Sequence, residues 1–319
     1  GVGVVGSNPA TPTILTKSPT FSGHCMKPFD YFLYGVTLFG WSTSWIGLKW
    51  QLGVVDPEVS VFWRFLIAGM VMVVIASISR APLMLSPREH IRPAALGLFI
   101  FSLNFSLYYN AGLWVTSGLL AVAFALASSV IMLLDAGLTR RMPRLSHLGA
   151  ALIGFIGVGI LYAPEIDFSE LNLALGAGAM TSFVLCLIGT LSFSVGSVIS
   201  ASSQRQGFSV MTMNAWGMMY GAVYLFAWNF YQGNTFTVEW TVPYLGGLFW
   251  LAIISSVATF SSYLLLVGRI GPGRAGYATV VFPVFALLIS SALEGYEWTL
   301  LSILGIALVA GGNVLILRR

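Results

Sequence analysis

Charge is scarce in this chain. Of its 319 residues only 8% are Asp, Glu, Lys or Arg, against roughly 25% in an average soluble domain. A soluble fold of this length covers its surface with charge, so a water-soluble enzyme is excluded. Cysteine is scarcer still. Cys25 lies in the polar N-terminal stretch and Cys186 inside an apolar run, which gives neither a disulfide framework nor a metal-ligand spacing. Other signatures are missing from the sequence as well. It has no Gly-x-x-x-x-Gly-Lys-Ser/Thr loop for ATP, no His-Glu-x-x-His metal motif and no Gly-x-Ser-x-Gly nucleophile elbow. No enzymatic activity, cofactor or metal is expected, and any transport would run on gradients.

Hydrophobic residues make up 57% of the chain, with ten Trp and a mean hydropathy of +0.87. A helix needs ~20 apolar residues to cross the hydrocarbon of a bilayer, so a span with its connection takes about 30. Ten apolar runs fit that arithmetic, at about 30–51, 58–79, 93–112, 117–136, 146–163, 179–203, 209–230, 243–267, 274–293 and 299–317. Pro57, Pro82, Pro87, Pro143, Pro164, Pro243 and the Gly271-Pro272-Gly273 turn separate them. The runs are apolar on every face, unlike the alternating strands of a transmembrane barrel. Residues 1–28 are polar, lack a signal-peptide core and read as a disordered tail. The first Met is Met26, so the upstream residues are expected to precede the natural start. A mass measurement on natively expressed protein tests this.

The positions of the cations predict a direction. Lys17, Lys27, Arg80, Arg88, Arg92, Arg140, Arg141, Arg144, Arg205, Arg269, Arg274, Arg318 and Arg319 fall in the tail, the C-terminus and alternate connections; only Lys49 and Arg64 do not. Short connections rich in Lys and Arg stay cytoplasmic, which places both termini there. Asp56, Glu58, Glu165, Asp167, Glu170, Glu239, Glu294 and Glu297 fall on the outer side, with a belt of Trp50, Trp114, Tyr162, Trp228, Tyr231, Trp240 and Trp298. The pI near 9.1 therefore reports topology, and no nucleic-acid partner is expected.

The chain also resembles itself at an offset of about 155 residues. Asn104-Phe105-Ser106-Leu107-Tyr108 matches Thr259-Phe260-Ser261-Ser262-Tyr263, Leu148-Gly149 matches Leu304-Gly305, and Gly35 and Gly53 match Gly189 and Gly207. Five runs per half is an odd number, so the second copy would cross the membrane in the opposite sense. Inverted repeats of this kind recur in transporters, with the substrate at the midplane between halves. The fold expected is an all-α integral membrane protein of ten transmembrane helices in two five-helix inverted repeats. The divisions are a tail over 1–28, a first repeat over 29–165 and a second over 172–319.

Several motifs carry a family resemblance. Gly271-Pro272-Gly273-Arg274-Ala275, Pro283, Glu294 and Gly305 in the second half, with Trp41, Arg64-Phe65 and Gly149 in the first, resemble the drug/metabolite transporter superfamily, EamA type. The similarity covers about residues 30–317, and within the superfamily it extends to the YddG-type amino-acid exporters of the bacterial inner membrane. It implies export of aromatic or neutral amino acids, with broad specificity, by alternating access. The alternative is efflux of drugs or other small metabolites. Where members of the family often carry Pro in the fourth helix, this chain has Ala127-Ser128-Ser129, opposite Pro283. Pro283 is then the expected gating kink, and the halves are expected to bend unequally.

Candidate binding residues are polar or aromatic groups near mid-span on one helical face. At ~1.5 Å per residue, Asn104 lies about 16 Å beyond Pro93. Phe101, Asn104 and Tyr108 share a face by α-helical spacing, and Ser256, Thr259 and Tyr263 repeat it. Trp41, Ser44 and Trp45 fall mid-way along the first run, and Ser192 and Ser194 at the matching depth of the sixth. Together they would form aromatic walls with neutral hydrogen-bonding groups. Against this, Ser and Thr also let membrane helices pack closely, and indoles fill helix crossings. Arg64 could attract a substrate carboxylate, but is expected instead to snorkel outward and pair with Asp56 or Glu58. Without a fixed central charge, strong selectivity for anions or cations is not expected. No span has a carboxylate near its centre, Asp135 and Glu294 lying toward span ends, so no buried proton relay is expected. The partners expected are a small-molecule substrate and lipid, and a monomer would suffice.

Overall fold

A computed structural model describes residues 26–139, 143–166, 178–270 and 278–317, and among these every regular element is helical. Helix α1 spans Pro28–Lys49 and α2 spans Pro57–Ile78. Each opens on proline, whose fixed φ and missing N–H suit a first helical position. Helix α3 runs over Ile91–Ala111, with a π-helical stretch at Gly97–Asn104. Helix α4 is in two pieces, Ser117–Phe124 and Ala127–Thr139. Next come α5 (Leu145–Tyr162), α6 (Ala179–Arg205) and α7 (Val210–Gln232). Helix α7 stops at Gly233, whose φ of 74° is the left-handed cap that a residue without Cβ adopts freely. Helix α8 is built from Val242–Phe249, a second π-helical stretch at Trp250–Thr259, and Phe260–Ile270. Helices α9 (Ala278–Glu294) and α10 (Leu300–Leu317) complete the described chain. Six of the helical runs are long and apolar enough to cross a membrane, α2, α3, α5 and α6 among them, and α9 and α10 are shorter apolar helices.

Close packing is set by small residues. A methyl built on Gly157 of α5 would lie 2.7 Å from the Gly305 carbonyl of α10, and one on Gly312 would lie 2.6 Å from the Ala150 carbonyl. Such backbone proximity is how apolar helices associate where lipid competes for every hydrophobic contact. Helix α2 approaches α7 just as closely, since a methyl on Gly69 would come 2.8 Å from Met219 Sδ.

Electrostatics fix the end where α3 gives way to α4. Lys49 Nζ, at the end of α1, donates to the Gly112 and Val115 carbonyls at 2.7 and 3.1 Å, a cation where α3 presents its negative pole. The Glu294 carboxylate, at the end of α9, accepts from Ser117 N at 3.0 Å and from Ser117 Oγ. An anion thus caps the positive pole of α4. At the opposite end Arg269 Nε donates to Asp30 Oδ1 at 2.5 Å, an ion pair between α8 and α1.

One member of the expected aromatic belt needs correction. Tyr162 is not in an aromatic belt: it is fully buried against Phe183, with its hydroxyl near Cys186 Sγ. Trp50, Trp114, Trp228, Tyr231, Trp240 and Trp298 are all exposed. Helix α4 is discontinuous although no proline stands at Ala127-Ser128-Ser129. It breaks at Ala125-Leu126, where Ala125 N is shared between the Ala121 and Val122 carbonyls and the Ser128 hydroxyl reaches back to the Ala125 carbonyl. The Gly271-to-Ala275 motif lies outside the described residues.

Candidate functional site

Helices from both halves of the sequence surround a narrow chamber holding ≈ 540 Å³ of space, its mouth included. Helix α1 contributes Trp41, Ser44, Trp45 and Leu48, and α2 contributes Arg64. Asn104, Phe105 and Tyr108 come from α3 and Phe124 from α4. The second half adds Phe193 from α6, Ser255 and Phe260 from α8, and Phe282 from α9. A wider groove of ≈ 1320 Å³ lies between α3 and α7, but Leu98, Leu103, Trp228 and Tyr231 on its wall are exposed apolar and aromatic side chains of the kind that meet lipid. The enclosed chamber is therefore the candidate site.

Its walls are aromatic and interlocked. Trp45 packs on Tyr108 and Phe124 at 5.2 and 5.7 Å between ring centroids, and Phe124 on Phe193 at 4.6 Å. Trp41 meets Phe260 and Phe282 at 5.9 Å each. These contacts join α1 of the first half to α8 and α9 of the second. Tyr108 is anchored by a 2.6 Å hydrogen bond with Thr190 of α6, and the Ser44 hydroxyl is turned onto the Trp41 carbonyl. Two polar atoms of the wall are left over. Trp45 Nε1, a donor, and Asn104 Oδ1, an acceptor, are buried without a hydrogen-bond partner. Buried polar atoms are nearly always paired, so these two are candidate points for a bound molecule's polar groups.

Arg64 overturns its expected role. It is 2% exposed and does not reach Asp56 or Glu58. Its Nε donates to Ser256 Oγ at 3.1 Å and its Nη2 to Ser255 Oγ at 3.4 Å. The guanidinium lies 4.3 Å from the Phe105 ring centroid, a cation–π contact. Hydroxyls and a ring face solvate the charge without neutralising it. The chamber therefore does have a fixed central charge, and it is positive.

Five of the residues singled out from sequence line the chamber: Trp41, Ser44, Trp45, Asn104 and Tyr108. The others stand just behind its wall. Phe101 packs on Phe65, Tyr263 lies 4.8 Å from Trp41, and Ser256 holds Arg64. The hydroxyls of Ser192 and Thr259 are taken up by the carbonyls of Phe99 and Ile254, and that of Ser194 by Thr190. Pro283 is buried within α9 beside Phe282, whose carbonyl accepts from Ser42 Oγ at 3.3 Å. The lining residues outside that set are Leu48, Arg64, Phe105, Phe124, Phe193, Ser255, Phe260 and Phe282, of which Arg64 was weighed from sequence and given a different role. For Phe105 and Phe260 a signal was present, since they occupy equivalent positions in the sequence repeat. Among the described residues no group of three or more His, Cys, Asp or Glu could hold a metal ion.

The profile of the EamA-like transporter family matches residues 30–163 and 180–318. The chain belongs to that family. It is 23% identical over 282 residues to the uncharacterized transporter YoaV of Bacillus subtilis, covering 88% of this chain and 93% of that one. It is 21% identical over 270 residues to the protein PagO of Salmonella typhimurium, covering 83% and 84%. An uncharacterized transporter of Archaeoglobus fulgidus is 20% identical over 290 residues, 91% of this chain and 99% of its own. A solved crystal structure with 16% identity shares the fold at a TM-score of 0.63, covering 91% of this chain and 96% of that one. The chain is thus a multi-pass membrane transporter of EamA type, in a family of transporters and not of enzymes.

Proposed function

We propose that this EamA transporter is a secondary exporter of amino acids, aromatic or neutral, working by alternating access. The observation that carries the reading is the enclosed aromatic chamber built from helices of both halves. Its walls suit an apolar side chain, and its unpartnered donor and acceptor suit a polar backbone end. In this reading α1 to α10 each cross the membrane once, in two inverted five-helix repeats (29–165 and 172–319). Both termini face the cytoplasm of a bacterium, and the membrane is the inner one. The ion pair Asp30–Arg269 then closes the cytoplasmic end, the Glu294–Ser117 contact ties the outer end, and Pro283, which supplies no N–H to its helix, is where α9 bends between states.

The test is counterflow of labelled amino acids into proteoliposomes preloaded with an unlabelled mixture, which needs no knowledge of the driving force. Uptake that disappears with empty vesicles supports an amino-acid carrier. Asn104→Ala and Tyr108→Ala should each lower that uptake several-fold at normal expression, and unchanged flux in both removes the α3 face from the site. No uptake by folded protein refutes the amino-acid reading. Efflux of lipophilic drugs, which the aromatic walls also suit, then takes its place.

A further inference from the structure

We infer that Arg64 is the carboxylate anchor of the chamber, so that the molecule carried is an organic acid or a zwitterion with an apolar body, and a simple cation is refused. The inference rests on reading the chamber as the substrate site, and it specifies the charge its occupant must bear. Arg64 is buried, lines the chamber and is bonded to two neutral hydroxyls. Among the described residues the one ion pair is Arg269–Asp30, so no acid neutralises Arg64. A charge held at mid-helix in an apolar protein is costly unless an opposite charge joins it. In a transporter the natural candidate is the cargo. The serines take Nε and one Nη2 hydrogen, which leaves the Nη1–Nη2 edge of the planar guanidinium, two parallel N–H donors, for a carboxylate.

The other polar atoms give the cargo a direction. Trp45 Nε1 is a spare donor and adds to the anion-receiving set, whereas Asn104 Oδ1 is a spare acceptor and can receive an ammonium. Asn104 itself is 1% exposed, so water does not readily satisfy it. A carboxylate at Arg64 and an ammonium at Asn104 are the two poles of an amino acid, with the side chain left to the rings of Phe124, Phe193 and Phe282. Arg64 and Ser255 belong to opposite halves of the chain, so a carboxylate bound there is held at the contact that must rearrange during transport.

Three ligands sharing one aromatic body test this on the purified full-length protein: phenylalanine, 3-phenylpropionate and phenethylamine, compared by the rise in Tm each produces at equal concentration. Both carboxylates should raise Tm and the amine should not. Arg64→Gln should weaken both acids at least tenfold. Arg64→Lys, which keeps the charge but not the fork, should keep part of the affinity. The ligand series on the unaltered protein decides the matter even if Arg64→Gln does not fold. An amine that stabilises as well as the acids overturns the anchor, and so does Arg64→Gln binding the acids as tightly as before. Stabilisation by none of the three, or by chloride but neither acid, overturns it too. If 3-phenylpropionate binds through Arg64 while phenylalanine neither binds nor shows counterflow, the anchor stands and the amino-acid reading falls.

Discussion

Placing one methyl group on either of two glycines in the same helix tests how the halves are held together. Gly157 and Gly159 both lie in α5. A Cβ on Gly157 would meet the Gly305 carbonyl at 2.7 Å, Leu308 Cβ at 2.9 Å and Val309 Cγ2 at 2.9 Å, whereas one on Gly159 would meet nothing within 4 Å. Two of the atoms facing Gly157 are backbone or Cβ, which cannot rotate away, so α5 and α10 must separate. Overpacking of this kind costs about 1–3 kcal/mol. Ala gains about 1 kcal/mol over Gly in intrinsic helix stability, but that gain is common to both sites and cancels in the comparison. Gly157→Ala is therefore expected to be about 1–3 kcal/mol less stable than Gly159→Ala. At about 2–4 °C per kcal/mol, that is a gap of several degrees in thermal unfolding of the purified protein. Neither helix contributes a chamber residue, so counterflow per folded molecule should be the same in both. Gly157→Ala unfolding at or above the temperature of Gly159→Ala would refute the α5–α10 packing.

Three further outcomes are expected. Glu294→Gln removes the anion that caps α4 through Ser117; loss of an N-terminal cap costs about 0.5–2 kcal/mol, and an unchanged Tm would show that the contact stabilises nothing. At Gly40 a Cβ would collide with Thr259 Oγ1 and lie 3.0 Å from Thr259 Cβ. Gly40→Ala should therefore cut counterflow several-fold by prising α1 from α8, and the double variant with Thr259→Ala should recover part of it; a double variant no better than the single would remove the hydroxyl as the cause. Outside the spans, the Glu89 carboxylate accepts from Ser86 N at 2.7 Å, and that bond holds its pKa below the ordinary carboxylate value. A lowered folded-state pKa adds stability above the unfolded value and loses it as pH falls through the lowered one. Glu89→Gln should thus match the parent in acid and fall slightly below it above about pH 5. A constant difference at every pH would exclude this linkage.

Helical structure was legible because the signals are local. Within the described residues the apolar runs read from the sequence fall mainly on helix, and Pro57 and Pro243 lie in the first turns of helices, where their fixed φ fits. What depends on a neighbour was not legible. Lys49 looks misplaced among outer residues until the carbonyl end of α3 is beside it, and Tyr162 looks interfacial until Phe183 covers it. In α4 no proline stands at Ala127-Ser128-Ser129 to mark a break. A shared backbone N–H at Ala125 and a serine back-bond interrupt the helix there instead.

In two helices the chamber lining differs from the face expected by α-helical spacing, and both carry a π-helical stretch. Spacing on α3 was counted at the α-helical period, which puts Phe101, Asn104 and Tyr108 on one face. Gly97–Asn104 is π-helical, however, and each π turn takes one residue more than an α turn. The face therefore slips: Phe101 turns onto Phe65, and Phe105 joins Asn104 and Tyr108 at the chamber. In α8 the π stretch Trp250–Thr259 does the same, presenting Ser255 and Phe260 where Ser256 and Thr259 were expected. The slip also explains Arg64. Ser256, moved off the chamber face, becomes the acceptor that draws the guanidinium inward, and Ser255 and Phe105, moved onto it, complete its cradle.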